Sequence, residues 1–246
     1  MCYGGHVSYK AAASIAWVRQ EDVLRLEGQG ARVDTHFYPK NKVPIVLKPG
    51  TDCRIVEARF DLIAPYFLAQ HKDAKTIAEI EKLKNSTKKD ERGRPISYPT
   101  WNARMESIQD KVTFASPWNG NQRAVIPITS FYERPNEKDT PAEIKNREFE
   151  IFLKELTWLA VIWERVELGG EELYSFAIPT MPSDGHKIMR EIHHIRMPTL
   201  LTEAEALEWT DPNVGADRAI ELIDHFPEGE ITIKEKFREP RKPKAT

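Results

Sequence analysis

Cysteine is scarce in this chain: Cys2 and Cys53 are the only two in 246 residues. Two thiols are too few for a disulfide framework or a thiolate metal site, and such scarcity suits a reducing cytoplasm. Long apolar runs are missing too. None approaches the roughly 20 residues that a membrane helix needs, and no basic-then-apolar signal segment opens the chain. A soluble, cytoplasmic protein with no membrane partner is therefore expected. Charge of one sign is not in excess: 36 Lys and Arg against 38 Asp and Glu leave a net charge of −2. Any nucleic-acid contact must then be local. There is no Gly-rich phosphate loop, so no nucleotide cofactor is expected. The 7 His are scattered apart from His193-His194, and sequence neighbours seldom ligate one ion, so no metal is expected either.

What is present describes an ordinary globular chain, 40% hydrophobic and 30% charged,. One domain of this size buries about 70% of its unfolded surface. "KVPIVLKPG" and "CRIVEARFDLIAP" read as two strands around a Pro-Gly turn,. "LAQHKDAKTIAEIEKLKNSTKKDERGRP" reads as one amphipathic helix dissolving into a charged loop that ends at Pro95,. "RAVIPITSFYE" and "REFEIFLKELTWLAVIWERVE" are strand-rich, and Gly169-Gly170 turns the second into "LYSFAIPTM" as a hairpin,. "SDGHKIMREIHHIRMP" holds a short helix, and "TEAEALEWT" is a second one opened by a Thr cap,. Strands and helices mix without a β-α rhythm. The expected class is α+β around a curved, largely antiparallel sheet. The locally basic end, residues 234–246, reads as a solvated flexible tail,.

Four polar clusters interrupt apolar surroundings: Cys2, "WNARMES" with Asn102, Arg104 and Glu106, "SFYERP" with Glu133, and "HHIRMP" with His193, His194 and Arg196. Singly, each has an ordinary use as a cap, a surface carboxylate or a hydrogen-bonding pair. Together they suit one chemistry. If Met1 is trimmed, Cys2 offers an α-amine and a thiol on adjacent carbons. The amine, with a reference pKa of about 7.7–8.0, is partly free at neutral pH, while a thiol near 8.5 is mostly protonated. The amine would attack an aldehyde first, and the thiol would close a thiazolidine on the imine. A carboxylate and an imidazole suit the proton transfers this needs.

The order Met-Cys, "NAR.E", "P..SFYE", "H.RMP" resembles the SOS response-associated peptidase (SRAP) family of abasic-site processing proteins, from Cys2 to about Pro198. The resemblance implies a single domain over 1–233 with a barrel-like sheet, and a charged insertion near 70–98. It implies a monomer whose partner is single-stranded DNA containing abasic sites, protected by a crosslink to the N-terminal Cys. Cys2 resembles the crosslinking nucleophile, Asn102 the residue that positions it, Glu133 the acid/base carboxylate and His194 the imidazole of ring opening. Arg104 and Arg196 resemble DNA-backbone contacts, with Glu106 beside them on the binding face. Pro39 and Phe60 fall where the family places apolar groups against the nucleic acid. His193 has no counterpart and reads as structural.

The chain departs from the family pattern at Tyr3 and Gly4, where Gly-Arg is usual and a phosphate-contacting Arg is therefore missing. Phe60-Asp61 stands for Trp-Gly, Ser130 for Gly, and Arg134 for the Trp after the FYE motif. Arg134 and the lysines Lys82, Lys84, Lys88 and Lys89 are candidates to restore the lost charge. Two further functions fit the same residues. One is an N-terminal-cysteine hydrolase in which the α-amine is the base, with self-removal of Met1 as its mildest form. The other is a non-covalent single-stranded nucleic-acid module in which Cys2 is incidental.

Overall fold

A computed structural model of the chain describes residues 2–13, 17–48, 53–89, 93, 95–145, 147–184, 186–223 and 231–236. The near-continuous apolar run of "RAVIPITSFYE" forms a strand covered on both faces, buried at every position but one,. In chain order the strands are β1 (Gly5–Ser8), β2 (Asp34–Phe37), β3 (Lys42–Lys48), β4 (Arg54–Phe60), β5 (Asn85–Lys89), β6 (Pro95–Ser97) and β7 (Asn102–Arg104). They continue with β8 (Arg123–Glu133), β9 (Glu148–Leu168), β10 (Glu171–Pro182), β11 (Arg196–Pro198), β12 (Leu200–Leu201) and β13 (Ile231–Lys236). β3 and β4 pair antiparallel, and β9 and β10 form the expected hairpin around Gly169-Gly170.

Eleven strands share one sheet, in the order β12-β9-β10-β4-β3-β8-β1-β2 with β7 and β11 added on β10 and β13 on β9. Because β8 also pairs with β9, the run β9-β10-β4-β3-β8 closes on itself as a barrel. Closure removes the exposed edges that an open sheet of this length would present. The pairings are antiparallel except those of β10 with β4 and β7. This is the mixed, sheet-centred fold that the sequence pattern implies. Phe60 stacks on Phe176 at 5.0 Å and meets Phe37 edge-on at 5.7 Å within the core. Burial of each such ring contributes about 1.5–3 kcal/mol. The helix Glu203–Trp209 starts from the Thr202 cap with Glu205 completing a capping box,. It seats Trp209 against the barrel, Nε1 donating to the Ala124 carbonyl at 3.0 Å.

The charged insertion differs from its sequence reading. Its periodic stretch is split into helices Pro65–Gln70 and Ile77–Lys84, because Thr76 and Glu79 form a second capping box and start a new helix there,. The following loop pairs as a β5–β6 ribbon, separate from the main sheet. Lys84 is not a surface cation. It is buried, and its Nζ donates to Asp61 Oδ2 at 2.9 Å, the Leu62 carbonyl at 3.0 Å and Thr100 Oγ1 at 2.6 Å. Burial lowers its pKa, opposed by the Asp61 carboxylate. Lys82 is exposed, and the side chains of Lys88 and Lys89 lie outside the described residues. At the far end β13 carries the sheet to Lys236, beyond the start expected for the tail, of which 237–246 lie outside the described residues. Among the described residues no helix is long and apolar enough to cross a membrane.

Candidate active site

Gly4 and Gly5 determine where Cys2 sits. β1 pairs with β8, Gly5 opposite Phe131, and the Tyr132 amide donates to the Gly4 carbonyl at 2.9 Å. A Cβ on Gly4 would lie 2.2 Å from the Phe37 oxygen, and one on Gly5 2.5 Å from the Ser130 oxygen. Only glycine lets the first strand lie so close between β2 and β8. The Tyr3 amide extends this pairing to the Tyr132 carbonyl at 3.4 Å, which brings Cys2 to the Glu133 end of β8.

β10 supplies the other half of the site. Along it, Ile178 pairs with Asn102 of β7, and Pro182 pairs with Arg196 of β11. Asn102 Nδ2 donates to the Cys2 carbonyl at 2.6 Å, joining residues 100 positions apart. Its Oδ1 is buried without a hydrogen-bond partner among the described residues. His194 is fixed just ahead of β11. Its amide donates to the Met189 carbonyl at 2.8 Å, and its carbonyl accepts from Ser183 Oγ at 2.7 Å. The ring Nδ1 is in short contact with the Arg196 carbonyl. The Arg196 amide also points at Nδ1, from 3.3 Å, but the carbonyl is the closer partner and can only accept, which favours the hydrogen on Nδ1 and the lone pair on Nε2. Nε2 faces Glu133 Oε2 at 3.1 Å.

Cys2 and Glu133 are 0% exposed and His194 1%. Burial disfavours every charged form here. It raises the Glu133 carboxyl to about 8 and lowers His194 to about 3. At neutral pH the pair is therefore a carboxylic acid beside a neutral imidazole, with the shared proton on Glu133. Burial also pushes the Cys2 thiol up, and the nearby Glu133 adds to the effect. The thiol donates to the Gly4 carbonyl at 3.5 Å. A proton donor, a proton acceptor and a protonated thiol thus share one buried cluster, a set suited to general acid–base work,.

A family model described as "SOS response associated peptidase (SRAP)" matches residues 1–236. The chain belongs to the SRAP family. It is 30% identical over 179 residues to the abasic site processing protein YobE of Bacillus subtilis, an alignment covering 71% of this chain and 66% of that protein. It is 29% identical over 193 residues to the abasic site processing protein YoqW, found in Bacillus subtilis and in Bacillus phage SPbeta, covering 76% of this chain and 71% of YoqW. Two crystal structures share the fold, each with a TM-score of 0.67. One is a protein from Bordetella bronchiseptica, 18% identical, covering 96% of this chain and 99% of that one. The other is from Bacteroides thetaiotaomicron, 20% identical, covering 98% of this chain and 97% of that one.

Within the SRAP frame, Cys2 and the three residues expected around it come together, while two of the expected DNA contacts do not reach the surface. Phe60 is 0% exposed, and the Phe176 and Phe37 rings that flank it leave no face for a base. Arg196 is also buried. Its Nε donates to Thr180 Oγ1, its Nη1 and Nη2 grip Glu106 at 2.6 and 2.7 Å, and Nη2 also reaches the Thr180 carbonyl. Glu106 is thus the partner of Arg196, whose guanidinium holds its carboxyl below the usual range. Both act as the brace that holds the His194 segment against β10. Arg104 is exposed and Pro39 half-buried. His193 has its backbone in the left-handed region, φ 52°, and pairs with Glu137 at 3.2 Å, a structural role. With Asp139 these two residues bring ligand atoms within 4.8 Å of one another. They are the metal-capable group among the described residues, and His193 ties them to the "HHIRMP" segment.

Sequence reasoning did not foresee what Tyr3 and Arg134 do. Arg134 Nε donates to Tyr3 Oη at 2.9 Å and Nη2 to the buried Glu148 at 3.0 Å, with the guanidinium 4.7 Å from the Tyr3 ring centroid. The two substitutions lie in spatial contact, a pairing that becomes visible only once β1 is laid on β8.

Proposed function

We propose that the chain processes abasic sites in single-stranded DNA by condensing Cys2, freed of Met1, with the ring-opened aldehyde. The observation that carries this reading is the Asn102 bond to the Cys2 carbonyl beside the Glu133–His194 pair. It fixes the residue by its carbonyl and leaves amine and thiol to react. The curated relatives named for abasic-site processing support the same substrate.

The amine attacks the sugar C1 aldehyde and forms a C–N bond. Glu133, protonated at neutral pH, supplies the proton with which the carbinolamine hydroxyl leaves as water. His194 Nε2 accepts a proton from the nitrogen. The thiol then adds across the C=N bond, its proton passing to nitrogen, and the five-membered ring closes. The balance is aldehyde plus aminothiol giving thiazolidine plus one water, with no oxidant. Reversal, or strand nicking from the imine, uses the same acid–base pair. The hydrolase reading is weaker, since burial that raises the thiol pKa opposes the thiolate it requires,.

The test uses Met1-free protein and single-stranded DNA with one abasic site, read by denaturing gel and intact-protein mass. A covalent shift that survives heat without borohydride and vanishes in Cys2→Ala is expected. Abasic DNA left unmodified by Met1-free protein would overturn the reading.

A further inference from the structure

The surface around Cys2 carries a second set of groups that the condensation does not use. Tyr3 follows Cys2 directly, so its position is tied to the reacting atoms. Its ring centroid lies 6.4 Å from Tyr38, with the planes 34° apart, and Tyr38 stacks on Tyr132 at 5.4 Å and 21°. Rings that serve only the core are sealed, as Phe37, Phe60 and Phe131 are at 0% exposure. Tyr3 and Tyr38 instead keep part of their surface in water, and Tyr38 is followed by the half-buried Pro39.

Arg134 completes the shelf. Its side chain is 42% exposed, while the Glu148 that anchors it is 1% exposed. Nε and Nη2 are held by Tyr3 and Glu148, and Nη1 carries no hydrogen bond among the described residues. A guanidinium locked on one edge and open on the other is preorganised for an anion such as a phosphate oxygen. Aromatic faces beside a fixed guanidinium are the chemistry of a nucleotide: the rings take any base, and the cation takes its phosphate.

We propose that Tyr3, Tyr38 and Arg134 form a subsite for the nucleotide flanking the abasic residue, its base on the tyrosines and its phosphate on Arg134. This rests on the reading of Cys2 as the group that condenses with an abasic sugar. It implies that the flanking base must leave its neighbours in the stack, which single-stranded DNA permits and an intact duplex resists.

The experiment measures binding of single-stranded oligonucleotides carrying one tetrahydrofuran abasic analogue, or two in adjacent positions on either side. Deleting the flanking base should weaken wild-type binding about tenfold on one side. The same deletion should leave Tyr38→Leu unaffected, because that variant has already lost the stack. Tyr38→Phe, which keeps the ring, should respond as wild type does, separating stacking from misfolding. Arg134→Gln should reduce the salt slope of binding by about one. A wild type indifferent to the flanking base, or a Tyr38→Leu variant that responds to it equally, overturns the subsite. Crosslinking of wild type to a reactive abasic oligonucleotide is run in parallel. Crosslinking without flanking-base dependence overturns the subsite alone, whereas no crosslinking overturns the Cys2 reading and the subsite with it.

Discussion

Glu133 Oε2 and His194 Nε2 lie 3.1 Å apart, at the end of β8 and the approach to β11, both shut away from water. Their closeness makes the proton's position a property of the pair.

The pair predicts a pH signature in stability. Glu133 is raised from 4.5 to about 8, so between those values the folded state binds the extra proton and stability falls as pH rises. His194 is lowered from 6.5 to about 3, so between those values the unfolded state binds the extra proton and stability rises with pH. The two oppose each other at mildly acidic pH. Above about 6.5 only the Glu133 contribution remains, so wild-type Tm should fall from pH 6.5 to 8.5 relative to Glu133→Gln. Parallel melting curves for the two proteins over that range would count against the assignment.

The same acid sets the reaction's upper limb. Single-turnover crosslinking should slow above about pH 8 as Glu133 ionises, and Glu133→Gln should lose that dependence along with about 10²-fold of the rate. Rates measured from pH 6 to 9.5 decide it.

Cys2→Ser keeps the amine and loses the ring-closing sulfur. Borohydride should still trap its imine on abasic DNA, and some strand nicking should remain. Without borohydride no heat-stable adduct should survive. An adduct as durable as that of wild type would rule out the thiazolidine.

Asn102→Ala removes the donor at the Cys2 carbonyl. Leaving that buried oxygen unpaired costs about 1–3 kcal/mol. Crosslinking should slow by about tenfold or more as the nucleophile loses its fixed position. Single-turnover rates beside denaturant midpoints separate the two effects.

Lys84→Met tests whether the insertion's lysine is structural. It strips Asp61 of its cationic partner in a buried setting, so the protein should lose about 3–5 kcal/mol of stability. Lys82→Met should change stability by less than about 0.5 kcal/mol. Chemical denaturation of both variants checks the contrast.

Much of this arrangement was legible in the chain. β3, β4, β8 and the β9–β10 hairpin follow from apolar runs punctuated by turn residues, and the Thr202 cap marks its helix correctly. The candidate site was legible as a grouping because Cys2, Asn102, Glu133 and His194 sit in motifs whose order is distinctive. What stayed hidden depends on neighbours distant in sequence. Nothing around Phe60 announces that Phe176 of β10 will cover it, since that contact follows from a parallel pairing formed more than a hundred residues later. Arg196 looks like a phosphate ligand until Glu106 is folded against it. The insertion read as one helix because its apolar period survives the break, and only the Thr76–Glu79 reciprocal bonds reveal the restart.

β9 runs for 21 residues and borders β8, β10, β12 and β13. It works as a shared spine. Glu133 hangs from it through β8, and Asn102 and His194 through β10, so neither half of the pocket can loosen without disturbing the strand that carries the other. The surroundings of Cys2 thus form a cage whose walls come apart together.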